Sequence, residues 1–125
     1  MARPRQPGLT ENELEVMRVL WKESPLRVAD VLERVKRNPK PAYTSLLTLV
    51  QIMEKKGYVK SEKDGKAFAY SPVLQEKRFL SSEIKRMAKR LIDGSPGDLV
   101  LNLVEDEQLS REEISALKRL LMEVK

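Results

Sequence analysis

Thirteen consecutive residues, 41–53, carry no charge in a chain of which 34% is Asp, Glu, Lys or Arg. Such a segment must bury one side and show a polar but uncharged surface on the other. At about 100° per residue, Ala42, Leu46, Leu49, Val50 and Met53 share one side, and Thr44, Thr48, Gln51 and Lys55 share the opposite one. The spacing predicts an amphipathic helix from Pro41 to Lys56. Pro41 suits the first helical position, where a missing N–H costs nothing, and Gly57 supplies the stop.

The elements around this helix follow from local signals. Thr10 and Glu13 form a capping box, in which each side chain satisfies a backbone N–H at a helix start. Leu14, Met17 and Trp21, with Leu20 alongside, then give a first helix from Glu11 to Lys22, ended by Ser24-Pro25. Val28, Val31, Leu32 and Val35 predict a second, shorter helix to about Arg37, broken by Asn38-Pro39-Lys40-Pro41. After Gly57, Tyr58-Val59 opens a strand. Lys63-Asp64-Gly65-Lys66 is a turn with the preferred Asp-Gly pair, and Ala67 to Ser71 returns until Pro72. Three helices and a hairpin, in that order, make a winged helix-turn-helix over residues 9–72. Residues 1–8 read as a flexible basic arm carrying Arg3 and Arg5.

Residues 73–125 are helical again. Leu80, Ile84, Met87 and Leu91 repeat with spacing 4, 3, 4, widened by Phe79 and Ala88. This heptad-like stripe is too short to be a coiled coil. Asp93-Gly94-Ser95-Pro96-Gly97 interrupts it. A short apolar helix around Leu99, Val100, Leu103 and Val104 follows. A last helix opens with a second capping box, Ser110 and Glu113, and carries Ile114, Leu117, Leu120, Leu121 and Val124 on one side. The fold class is therefore mainly α with a small β-hairpin, a winged helix-turn-helix followed by a three-helix C-terminal dimerisation region. An interface of Phe79, Leu80, Ile84, Met87, Leu91, Leu99, Leu103, Leu117 and Leu121 is favoured because the tail has too few elements to enclose all its apolar faces. An intramolecular core is the other use of the same residues.

Composition removes most catalytic chemistry. Without histidine or cysteine, the chain has no imidazole or thiolate metal site, no Ser–His or Cys–His pair and no disulfide. No enzyme, no cofactor and no metal are expected. No apolar run approaches the roughly 20 residues of a membrane span, and no signal-peptide core follows the basic start, so the expected location is cytoplasmic with no membrane partner. Charge is unevenly spread. Residues 1–72 hold 14 Lys and Arg against 9 Asp and Glu, whereas residues 73–125 hold 10 of each. A surplus of five is ordinary for a soluble protein, but its confinement to one part suits an anionic partner.

The outward stripe of the third helix suits a major groove. Gln bonds adenine in bidentate fashion, and Thr offers a hydroxyl and a methyl. Tyr43 and Ser45 flank the stripe. Lys40, Lys55, Lys56, Lys63 and Lys66 surround it and would neutralise phosphates without reading sequence. Taken alone, Thr and Gln are ordinary surface residues of an amphipathic helix; the basic surround, the hairpin and the upstream helix-turn-helix together make the pattern specific.

The stretch Leu9-Thr10-Glu11-Asn12-Glu13-Leu14-Glu15-Val16-Met17 with Leu20-Trp21 resembles the opening of the BlaI/MecI/CopY family of penicillinase-type repressors. So do Tyr43-Thr44-Ser45-Leu46, Met53-Glu54-Lys55-Lys56-Gly57-Tyr58-Val59, and Gly65-Lys66 through Tyr70-Ser71-Pro72. The resemblance covers residues 9–123. It implies a homodimer on palindromic double-stranded operator DNA, with Tyr43, Thr44, Ser45 and Thr48 in the recognition helix and Lys66 in the wing. It also implies release by a sensor-linked protease that cuts an Asn–Phe bond in the dimerisation region. Here the aligned place is Asn102-Leu103, so the candidate cut departs from the family pattern. The release through C-terminal cysteines used by the copper-responsive branch is excluded. The competing function is a winged-helix protein–protein interaction module without DNA binding, since fold alone does not settle function.

Overall fold

The computed structural model describes residues 8–106 and 109–122, the side chains of 117 and 120–122 excepted. The expected basic arm falls outside the described residues apart from Gly8. The elements run α1 (Glu11–Lys22), β1 (Leu26–Arg27), α2 (Val28–Arg34), α3 (Tyr43–Lys55), β2 (Val59–Asp64), β3 (Ala67–Pro72), α4 (Glu76–Ile92), α5 (Pro96–Glu105) and α6 (Arg111–Met122). They fall into two compact units that divide between Gln75 and Glu76.

In the first unit, α1 begins at its capping box. The Thr10 hydroxyl accepts from the Glu13 N–H at 3.1 Å, and Glu13 Oε1 accepts from the Thr10 N–H at 2.9 Å. The buried side of α1 is Glu13, Val16, Met17 and Leu20. The expected Leu14 and Trp21 are half-buried and flank it. Trp21 reaches sideways instead, its indole N–H donating to the Leu74 carbonyl at 2.9 Å. The Val73 and Leu74 amides both donate to the Tyr58 carbonyl, which holds the chain end of the unit against the start of β2.

Two helix boundaries differ from expectation. α2 ends at Arg34 and not near Arg37, because Val35 turns to extended backbone (φ −68°, ψ 144°) and buries its side chain in the core. α3 starts at Tyr43 and not at Pro41. Ala42 is its extended N-cap, and its carbonyl accepts the first helical bond from Leu46 at 3.0 Å. Ala42 is therefore exposed rather than core-facing. At the other end Gly57 (φ +88°) closes a Schellman motif, with its own N–H on the Glu54 carbonyl and the Tyr58 N–H on the Met53 carbonyl, both at 3.0 Å.

The hairpin is present, and a third strand joins it. β1, two residues long, pairs antiparallel with β3, so the sheet order is β1-β3-β2. Pairing of Asp64 with Ala67 leaves Gly65 and Lys66 as the two central turn residues. The Asp-Gly pair is thus displaced by one residue: Gly65 (φ +67°) takes the first central position, as in a type II′ turn. The core gathers Met17 and Leu20 of α1, Leu26 of β1, Val31 of α2, Leu46, Val50 and Met53 of α3, Val59 of β2 and Tyr70 of β3. Burying each such side chain contributes roughly 1.5–3 kcal/mol.

Glu13 does a second job. It is 2% exposed, and its Oε2 accepts from the Lys56 ammonium at 2.7 Å. One carboxylate thus caps the start of α1 and grips the end of α3.

The second unit packs α4, α5 and α6 together. Asp93 (φ +49°) ends α4. Ser95 caps α5 in a box with Asp98, and Pro96 occupies the first turn. The expected Ser110–Glu113 box opens α6, with both bonds formed at 3.0 and 3.1 Å. The side of α4 that is buried carries the small residues Ser81 and Ala88. Among the described residues, no helix is long and apolar enough to cross a membrane.

Burial pushes the Glu13 carboxyl up, but the Lys56 ammonium and the Thr10 donors outweigh that and hold it below its usual value of 4.5. A depressed carboxylate stabilises the fold above its unfolded pKa and loses that contribution as pH falls through the folded one. Glu13→Gln is expected to destabilise the chain by about 2 kcal/mol at pH 7, less than a fully buried pair because Lys56 is partly solvated. Urea unfolding at a series of pH values checks this: the gap between variant and parent should narrow as pH falls below 4.5.

Candidate nucleic-acid interface

α3 presents its uncharged stripe to solvent. Tyr43, Thr44, Ser45, Thr48, Gln51 and Lys55 are all exposed, while Leu46, Val50 and Met53 anchor the opposite side. Core packing behind the helix fixes its rotation, and the Schellman turn with the Glu13–Lys56 pair fixes its C-terminal end. The methyl side chain of Ala42 cannot cap the N-terminus, which leaves the first-turn N–H groups without a side-chain cap, a favourable arrangement for phosphate. Ile52, which the sequence reading assigned to neither side, is also exposed. Its place on the helical wheel, between Thr48 and Ser45, was the available signal.

The wing stands beside this helix. Ser61 of β2 donates to Glu54 Oε2 of α3 at 2.7 Å. Burial pushes the Tyr70 phenol up, and nearby Glu54 and Tyr43 push the same way. Lys63 pairs across the hairpin with Phe68, its ammonium 6.0 Å from the ring centre, and Lys66 sits in the turn; both lysines are exposed. Arg27, which no motif signalled, ties the wing to β1. Its Nε donates to Asp64 Oδ2 at 2.8 Å and its Nη2 to the Asp64 carbonyl at 3.0 Å. The guanidinium holds the Asp64 carboxyl below its usual range. The pair offsets the charge of the carboxylate next to the turn.

The lysine surround is narrower than the sequence suggested. Lys56 is already paired with Glu13, which keeps its ammonium charged. Lys40 donates to the Leu32 and Glu33 carbonyls at 2.9 and 2.7 Å, where it neutralises the C-terminal end of α2 while remaining exposed. Lys55, Lys63 and Lys66 are exposed on α3 and the wing, and Lys60 of β2 is exposed as well.

In the second unit the expected interface residues divide. Leu80, Met87 and Leu91 are exposed, at 39%, 39% and 56%. Phe79, Ile84, Leu99 and Leu103 are half-buried. Leu117 and Leu121 lie outside the described side chains. Asn102 is exposed within α5, and its amide donates to the Asp98 carbonyl at 3.1 Å.

A helix-turn-helix with a following hairpin defines the first unit as a winged helix. The chain belongs to the penicillinase repressor family, whose profile, described as Penicillinase repressor, matches residues 9–123. It is 34% identical over 123 residues to a penicillinase repressor of Bacillus licheniformis, covering 95% of this chain and 93% of that one. It is 28% identical over 113 residues to the methicillin resistance regulatory protein MecI of Staphylococcus aureus strain N315, covering 90% and 92%. A solution structure of the DNA-binding domain of the repressor BlaI is 30% identical, with a TM-score of 0.49 over 56% of this chain and 85% of that one.

Gly65→Ala tests how the wing is built. The added Cβ would meet Arg27 Nη2 at 3.7 Å, an ordinary contact. The expected cost is therefore backbone strain alone, about 1–2 kcal/mol, read as a lower urea midpoint with an unchanged slope.

Proposed function

We propose that this chain is a transcriptional repressor that binds double-stranded operator DNA through α3 and the wing. The observation that carries this reading is the exposed stripe of Thr44, Thr48 and Gln51, held outward by the core and bordered by Lys55, Lys63 and Lys66. Hydroxyls and an amide read base edges, whereas lysines at the rim neutralise phosphates. Tyr43 and Ser45 contact the backbone beside the stripe, and Lys40 adds charge at the approach to α3. Membership of the penicillinase repressor family supports the same role. A protein-docking use of the winged helix is disfavoured by the charge-free centre and basic rim of this face.

The repressor acts as a homodimer on a two-fold-symmetric site, with half-sites about one helical turn apart or a multiple of that. Support comes from the exposed Leu80, Met87 and Leu91, which share one side of α4 while Ser81 and Ala88 face its own unit. Release comes from a sensor-linked protease that cuts at Asn102-Leu103. No residue of α5 is fully buried and Asn102 is exposed, so the bond becomes reachable once this helix unwinds.

Gel shifts against the promoter of the protein's own operon, over a series of salt concentrations, check the DNA reading. Lys66→Ala should weaken binding to all sequences and lower the salt slope by about one unit per chain. Gln51→Ala should instead relax discrimination at one base pair by about 1–3 kcal/mol. No shift at low salt counts decisively against the repressor.

Sedimentation without DNA checks the pairing. The parent chain is expected as two copies. The double variant Met87→Lys, Leu91→Lys, and a chain truncated after Asn102, are each expected as one. A parent chain that sediments as a single copy at every concentration rules out the dimer.

A further inference from the structure

The outward side of α3 is wider than its polar stripe. Ile52 is 43% exposed, one turn beyond Thr48 and about 160° around the helix from Glu54. Because Glu54 is bonded to Ser61 of the wing, Ile52 stands on the flank away from the wing. A lone exposed isoleucine is ordinary on a soluble protein. This one has a distinctive setting. Its outward neighbours Ser45, Thr48, Gln51 and Lys55 include no carboxylate, and all are exposed. The unit that carries it also holds the whole positive surplus of the chain. The complementary partner of such a face is polyanionic, yet the face includes an apolar branched side chain.

B-DNA offers one apolar group in its major groove, the thymine 5-methyl. We propose that Ile52 reads a thymine through that methyl, beside the bases read by Thr48 and Gln51. The proposal rests on the repressor reading above and adds to it a specificity element that hydrogen bonding does not supply. The contact forms as two apolar groups leave water together, and it discriminates thymine from every base without a 5-methyl group.

The test pairs deletion of the side chain with deletion of the base methyl. The probe is the duplex that the full parent chain selects from a pool of random-sequence DNA, with each thymine replaced in turn by deoxyuracil. At one thymine per half-site, the replacement is expected to weaken the parent roughly fourfold, the worth of one buried methyl. Ile52→Ala should bind the unmodified duplex more weakly by at least that factor and become indifferent to the replacement. Ile52→Val, which keeps both γ carbons and loses only the terminal Cδ1 methyl, should retain the sensitivity. Circular dichroism checks that the variants fold as the parent does.

If Ile52→Ala binds as tightly as the parent, or keeps full sensitivity at every thymine, the Ile52 contact is overturned while the repressor stands. If the parent selects no duplex at all, the repressor reading itself fails and this contact fails with it.

Discussion

The presentation of α3 depends on a single buried carboxylate. Glu13 sits in the first turn of α1, where it completes the capping box with one oxygen and holds the Lys56 ammonium with the other. A buried carboxylate is costly unless both oxygens find donors, and here both do. The same residue therefore starts one helix and fixes the end of another 43 positions later. Next to Lys56, the Schellman turn at Gly57 redirects the chain into β2, so the pair also sets where the wing begins.

With the C-terminal end of α3 set, the core decides its rotation. Leu46, Val50 and Met53 leave the solvent side to Thr44, Thr48, Gln51 and Ile52. The wing is held to this frame twice, by Ser61 on Glu54 and by Arg27 on Asp64. The Arg27–Asp64 ion pair also offsets one carboxylate of the wing, so there positioning and charge balance come from the same contact. The lysines sort in a similar way. Lys56 is held by Glu13 and Lys40 by the end of α2, though Lys40 stays exposed, whereas Lys55, Lys63 and Lys66 are exposed on α3 and the wing.

The second unit is organised differently. Each of its helices closes one face against the others, and α4 does so with small side chains that allow close approach. Its larger residues, Leu80, Met87 and Leu91, are left outside. These exposed apolar side chains share one side of α4, and the proposed pairing of two chains would cover them.

Most of the elements were legible in the residues, because caps, prolines, glycines and apolar periodicity are local signals. Thr10–Glu13, Ser110–Glu113, Gly57 and the hairpin all act within a few positions of themselves. The outward stripe of α3 was legible for the same reason, since its lack of charge is a property of one segment. What the sequence left open depended on contacts between distant segments. β1 is too short to carry a pattern and exists because β3 offers it a partner. Val35 ends α2 because the core takes its side chain, and Pro41 stands outside α3 because Ala42 supplies the extended cap. Nothing near Lys56 says that it faces Glu13 rather than a phosphate, and nothing near Asp64 announces Arg27. Sequence by itself determined which segments are helices and which face of α3 is polar. Only the tertiary structure decided which charges are free to meet a partner, because an ion pair between residues tens of positions apart exists only once the chain has folded.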